Sequence, residues 1–302
     1  MSFKILREKI KEKNNPAAIG LDPRLEYIPA HITSEAIKKS GKTQAAAGEA
    51  IYMFNKGLID ACFDLVPAVK PQSAYYEMYG AAGIEALNNT IAYAKSKGLY
   101  VILDAKRGDI GATCEAYSAA YLGETDIFGE KQRVSGADCL TVNPYFGTDG
   151  IKPFIKDCEK YDRAVFVLVK TSNDSSGDFQ DIAVESGGAL YGRVARKVLE
   201  WGGADNIGVV IGATYPAQLA EMRELMPDTF FLVPGFGAQG AAAQDVRPAF
   251  DAFGGGAIIN SSRAVMCAWV KPGDGENFGK RARDEAIRMR DAINGAIGGE
   301  TR

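Results

Sequence analysis

At 302 residues the chain is long enough for one large domain or two small ones, and its 46% hydrophobic and 24% charged residues suit a globular protein with a sizeable core. The net charge of -3, with no Lys/Arg cluster interleaved with aromatics, speaks against nucleic acid as a partner, and no apolar run is long enough to span a bilayer. The cysteines Cys62, Cys114, Cys139, Cys158 and Cys267 are scattered and odd in number, which points to reduced thiols, and the single histidine, His31, excludes a His-cluster metal site.

The N-terminal stretch is charged and amphipathic, without the apolar core of a signal peptide, so a cytoplasmic protein is expected. Eight short apolar runs then recur, at residues 17–22, 66–72, 100–106, 138–143, 164–172, 207–214, 230–237 and 257–262. Segments with helical spacing separate them, among them 81–97, 187–201 and 216–225. Strands alternating with helices imply parallel pairing through right-handed crossovers. Eight repeats in this length predict an α/β fold, a (β/α)8 TIM barrel forming a single domain over 1–302, with an open doubly wound sheet as the alternative. No Gly-x-Gly-x-x-Gly follows the first strand, which counts against dinucleotide binding. Residues 23–48 form an insertion after strand one, expected to be partly helical with Ser34 capping 35–39; 123–135 form a second. Residues 173–186 are polar and Gly/Ser/Asp-rich and are expected to be a mobile loop, and 277–302 a final helix with a frayed end.

Polar residues gather where the apolar runs end: Asp22, Lys70, Asp104, Lys106, Asn143, 170–173, Thr214, 235–239 and 261–263. In a TIM barrel those ends form the active-site face. The stretch 100–113 is the densest. It begins as a buried strand and then places Asp104, Lys106, Arg107 and Asp109 within six residues. Asp104 and Lys106 are two apart, so on an extended strand they share a side and hold each other ionised. Gly108 permits a bend, and Asp109 falls in a loop or at a helix start. These charges alone fit a strand-end salt bridge before a capped helix slightly better than a catalytic cluster, because structural ion pairs are the commoner. The Gly-rich segment 233–240 offers backbone N–H groups to phosphate, and Arg263, after strand eight, offers a rigid cationic fork.

Asp104-Ala105-Lys106-Arg107-Gly108-Asp109-Ile110-Gly111-Ala112-Thr113 resembles the signature of the orotidine 5'-phosphate decarboxylase family, and Lys170-Thr171-Ser172-Asn173 looks like its larger bacterial branch. The resemblance spans about residues 17–264 and implies conversion of orotidine 5'-monophosphate to uridine 5'-monophosphate and carbon dioxide, the last step of de novo UMP synthesis, by a carboxy-lyase with no cofactor and no metal. It implies that Lys106 stabilises and protonates a C6 carbanion, that Asp104 lies by the substrate carboxylate, and that Lys70 binds the ribose and orients Asp104. It implies further that Asp22 binds a ribose hydroxyl and that Ser172 binds the pyrimidine, with Thr171 the one-residue alternative. Gln239 and Arg263 would hold the phosphate; Ser261-Ser262-Arg263 stands where many members read Gly-Arg-Ser. Asp109, Ile110 and Thr113 would enter the neighbouring subunit's site, making the active form a homodimer with shared active sites. Two rivals are kept. Mg²⁺-dependent relatives, 3-keto-L-gulonate 6-phosphate decarboxylase and hexulose-phosphate synthase, share Asp-x-Lys-x-x-Asp on the same barrel, although the Arg107-Gly108 pair and the Gln239 loop favour the orotidylate reading. A non-catalytic nucleotide-binding barrel has no need for a buried charge array.

Overall fold

A run such as Ala164–Lys170, Ala-Val-Phe-Val-Leu-Val-Lys, is apolar on both faces of an extended chain, and such a strand is stable only when both faces are covered. All eight runs meet that condition in the same way. The computed structural model describes residues 2–185, 187–237 and 242–298. Within them, β1 (Ala17–Leu21), β2 (Ala68–Pro71), β3 (Tyr100–Arg107), β4 (Cys139–Val142), β5 (Ala164–Lys170), β6 (Ile207–Ile211), β7 (Phe230–Pro234) and β8 (Ala257–Ser261) are parallel and close into a barrel, β8 pairing with β1 through Ala17 and Ile259. Closure decides for the TIM barrel over the open sheet.

Period-two alternation splits each strand between two cores. Val101, Leu103, Val165 and Val167 face outward into the shell of helices, while Tyr100, Ile102, Ala164 and Phe166 face inward. The inner core is completed by an element that the sequence analysis left unassigned. The amphipathic N-terminus is a helix, Ser2–Lys13, whose Phe3, Leu6 and Ile10 join the inward residues. Phe3 lies 4.9 Å from the ring of Phe166 and 5.2 Å from that of Phe230, and the Ser2 and Tyr100 hydroxyls are 2.6 Å apart. This helix plugs one end of the barrel, so a cavity can open only at the other, where the strands end.

The insertion after β1 carries a helix at Ala30–Ser40. It starts behind Pro29, whose fixed φ suits a helix start, so Ser34 lies inside the helix and does not cap it. The next helix, Gln44–Cys62, is capped by Thr43, whose hydroxyl accepts from the Ala46 amide at 3.2 Å. The second insertion is an antiparallel hairpin, Thr125–Ile127 with Glu130–Gln132. The described part of the segment expected to be mobile, residues 173–185, is more ordered than its composition suggests: a turn at Asp174–Ser176 leads into the short helix Gly177–Gln180. The final helix is Phe278–Ala296, with Phe278 against Phe54. The five cysteines are free thiols, all buried but the half-buried Cys267. Among the described residues no helix is long and apolar enough to cross a membrane.

Phe3→Ala should lower the unfolding free energy by about 3–5 kcal/mol, because it empties the plug between two rings. Urea unfolding monitored by circular dichroism checks this; a loss below about 1 kcal/mol would show that the N-terminal helix is not part of the barrel core.

Candidate active site

The site is built on a distortion of β3. Leu103 pairs with Leu140 and Arg107 with Val142, so β3 fits more residues than β4 into the same span and bulges. Lys106 consequently has φ +50°, a left-handed conformation that costs a non-glycine residue about 1–2 kcal/mol. Thr141 of β4 holds the bulge: its hydroxyl accepts from the Lys106 amide at 2.9 Å and donates to Asp104 Oδ1 at 2.8 Å. Asp104 and Lys106 do meet, at 2.7 Å. They do so through the bulge, however, and not through the regular alternation argued from sequence.

Asp104 is saturated with donors. Oδ1 accepts from Lys106 Nζ and Thr141 Oγ1, and Oδ2 from Lys70 Nζ at 2.9 Å and Gln72 Nε2 at 3.0 Å. Burial pushes its carboxyl up, but the charges of Lys70 and Lys106 and their hydrogen bonds win and hold it below the ordinary carboxylate range. Lys70 is 3% exposed. Burial pushes its ammonium down, while Asp104 and then Asp22 more than offset this, so its pKa is raised. Asp22 Oδ1 lies 3.9 Å from Lys70 Nζ, beyond hydrogen-bond range, and is buried with no hydrogen-bond partner among the described residues. A buried acceptor left open in this way is suited to a ligand hydroxyl.

These groups line a cavity of about 560 Å³ at the C-terminal ends of the strands. Of the residues singled out from sequence, Asp22, Lys70, Asp104, Lys106, Ser172 and Arg263 line it, as does Thr171. At its β7 end Gly235 and Gly237 take φ +107° and +76°, beside Arg263 at the start of the helical turn Arg263–Met266. Gln239 lies outside the described residues. The structure does not bring Asp109, Ile110 and Thr113 to the cavity of their own chain. Asp109 Oδ1 accepts from the Ile110 amide, and Ile110 and Thr113 are exposed. Arg107 turns away too, to Glu77 and the rings of Tyr117 and Tyr121. Gly108 has no left-handed φ; a Cβ there would lie 3.1 Å from the Asn143 carbonyl, so the residue serves close approach. Asn143 caps the turn after β4, accepting from the Tyr145 amide.

Sequence reasoning missed Gln72, Thr141, Tyr27, Tyr75 and Asn260, all of which line the cavity. Gln72 sits two residues after Lys70, and Thr141 is the one polar residue of β4; both signals were present, but neither meant anything before β3 was known to lie between β2 and β4. At the end of β5 the Thr171 hydroxyl is engaged, donating to Asn173 Oδ1 at 2.6 Å and accepting from Gln180 Nε2 at 2.8 Å. Ser172 packs on Gly212, where a Cβ would come within 2.8 Å of its Cα.

Comparison with known proteins gives the same frame. The model of the Orotidine 5'-phosphate decarboxylase / HUMPS family matches residues 55–272. The chain is 41% identical over 299 residues to orotidine 5'-phosphate decarboxylase of Caldicellulosiruptor bescii, covering 97% of each chain. It is 41% identical over 302 residues to that of Rhodopirellula baltica, covering 96% of this chain and 98% of the relative. Leishmania donovani OMP decarboxylase superposes with a TM-score of 0.76 at 32% identity, covering 98% of both chains. The barrel, the charged strand ends and these similarities agree: this chain belongs to the orotidine 5'-phosphate decarboxylase / HUMPS family.

Proposed function

We propose that this chain converts orotidine 5'-monophosphate to uridine 5'-monophosphate and carbon dioxide without a metal or organic cofactor, as a homodimer with shared active sites. The observation that carries this reading is the Lys70–Asp104–Lys106 array. All four lone-pair directions of Asp104 already receive protein donors, two of them cationic. A divalent cation would find no vacant oxygen on Asp104 and would have to displace two ammoniums, which favours the orotidylate reading over the Mg²⁺-dependent relatives. An array costing this much desolvation also disfavours a mere nucleotide-binding barrel.

The chemistry follows from the geometry. Breaking the bond from C6 to the carboxylate releases carbon dioxide and leaves the electron pair on C6, in an orbital that the ring cannot delocalise. Lys106 is the one lysine of the array that is half exposed to the cavity. Its ammonium stabilises that pair as it forms and then transfers a proton to C6, regaining one from water. Asp104 crowds the substrate carboxylate, and the fully buried Lys70, with Gln72 and Thr141, keeps Asp104 ionised and still. Asp22 accepts from a ribose hydroxyl with its open Oδ1. Ser172 contacts the pyrimidine, a choice supported by the prior engagement of the Thr171 hydroxyl. Arg263, Gln239 and the Gly235 loop hold the phosphate, whose binding energy serves the distant carbon. Asp109, Ile110 and Thr113, turned away from their own cavity, reach the partner's. We read residues 1–302 as a single domain acting in the cytoplasm, a setting that suits five free thiols.

Loss of the orotate absorbance on mixing the purified protein with orotidine 5'-monophosphate tests the proposal. Turnover should survive EDTA, and Lys106→Ala should reduce it more than about a thousandfold while the protein stays folded by circular dichroism. No turnover by folded wild-type protein, or turnover abolished by EDTA, would overturn the reading. Mixing Lys106→Ala with Asp109→Ala should restore about a quarter of wild-type activity, since half of randomly formed dimers then hold one intact site. No recovery despite demonstrated subunit exchange would contradict the shared site.

The depressed pKa of Asp104 also has a stability consequence. Its contribution is complete above the unfolded value of about 4 and is lost as pH falls toward the folded value. The stability gap between wild type and Asp104→Asn should therefore be widest above about pH 4 and narrow steadily below it. Denaturant unfolding across this range measures the gap, and a gap independent of pH would show that the pairing is not what stabilises the carboxylate.

A further inference from the structure

Lys170, the last residue of β5, is fully buried but does not face the cavity. The pairing of β5 with β6 shifts between Leu168 and Lys170. The shift turns the ammonium outward, to Asp181 Oδ1 at 2.7 Å and over the rings of Tyr215 and Tyr191 at 5.1 and 5.7 Å. Lys170 is the buried partner and Asp181 the exposed one, so losing Asp181 would leave an ammonium in a poorly solvated place, and that buried charge anchors residue 181. Gln180, next to that anchor, folds its side-chain amide back over the strand end. Its Oε1 accepts from the Thr171 amide at 2.9 Å, and its Nε2 donates to the Thr171 hydroxyl at 2.8 Å. That hydroxyl in turn donates to Asn173 Oδ1. The side chain thus takes the place of the next strand residue: it pairs the amide that β5 leaves open and fixes the rotamer of Thr171.

We infer that Gln180 is a positioning residue for base recognition. It locks Thr171 so that Ser172, the next residue, presents its hydroxyl and backbone to the pyrimidine, and the Lys170–Asp181 pair holds Gln180 in register. The inference rests on the proposed function, because it assigns the β5 end to the base. It explains why a polar, Gly/Ser/Asp-rich segment is folded into the turn and short helix seen here: its far end returns to the site.

The test compares two ligands on wild type, Gln180→Ala and Gln180→Glu. UMP carries the pyrimidine; ribose 5-phosphate lacks it but keeps the sugar and phosphate. Gln180→Ala should weaken UMP binding about tenfold, the loss expected for one well-placed hydrogen-bonding group, while leaving ribose 5-phosphate within about twofold of wild type. Gln180→Glu, which keeps an acceptor for the Thr171 amide, should fall between the two. The KM for orotidine 5'-monophosphate should rise in the same order. If Gln180→Ala does not fold, the ratio of the two affinities in Gln180→Glu carries the test. Unchanged UMP binding, or equal weakening of both ligands, would overturn the positioning role. Failure of wild type itself to bind UMP would instead overturn the parent reading, so the two failures are distinguishable.

Discussion

The rest of the structure depends on one buried carboxylate held between two ammoniums. Asp104 is 8% exposed, and keeping it charged costs several kcal/mol of desolvation that only close, fixed cations can offset. Lys70 supplies one from β2 and Lys106 the other from the bulged end of β3, while Thr141 on β4 braces both the carboxylate and the bulge. Three adjacent strands must therefore be in register before the array exists. A closed barrel provides this, because no strand is an edge and none can slip without disturbing its neighbours.

The two ends of the barrel divide the labour. At one end the N-terminal helix drives Phe3 between Phe166 and Phe230 and makes the interior solid. At the other, strain and unmet hydrogen-bonding capacity are tolerated: Lys106 sits at positive φ, and the buried Asp22 Oδ1 has no hydrogen-bond donor among the described residues. Such features persist only when their surroundings over-determine them, and here the surroundings are the plugged, densely packed barrel beneath. The stable end thus allows a preorganised cavity at the other, where little reorganisation is needed when charge develops.

Much of this was legible in the sequence. Seven of the eight strands lie within the apolar runs and β3 passes its run by one residue, Arg107, since a strand covered on both faces must read as an apolar run. The polar residues at the ends of those runs led to Asp22, Lys70, Asp104 and Lys106. What stayed hidden depended on three-dimensional neighbours. The role of Thr141 requires knowing that β4 lies beside β3. The bulge is a mismatch between two strands, and neither strand shows it alone. The N-terminal helix was readable as amphipathic, but nothing local says that its apolar face enters the barrel. Ser34 looked like a cap because its residue type suits one, yet Pro29 starts the helix earlier. Residues 173–186 read as mobile from composition, whereas Gln180 and Asp181 tie their described part to Thr171 and Lys170.

The central claim is that Lys106 stabilises a carbanion at C6, and the reverse of the last step tests it most directly. If Lys106 delivers the proton to C6, as proposed, that proton must also be removable along the same path. Incubating UMP with the protein in deuterium oxide and following the C6 hydrogen by NMR measures that removal. The account predicts that wild type exchanges it measurably faster than the solvent background and that Lys106→Ala does not. Equal exchange by the two proteins, or none by a wild type that decarboxylates orotidine 5'-monophosphate, would contradict it.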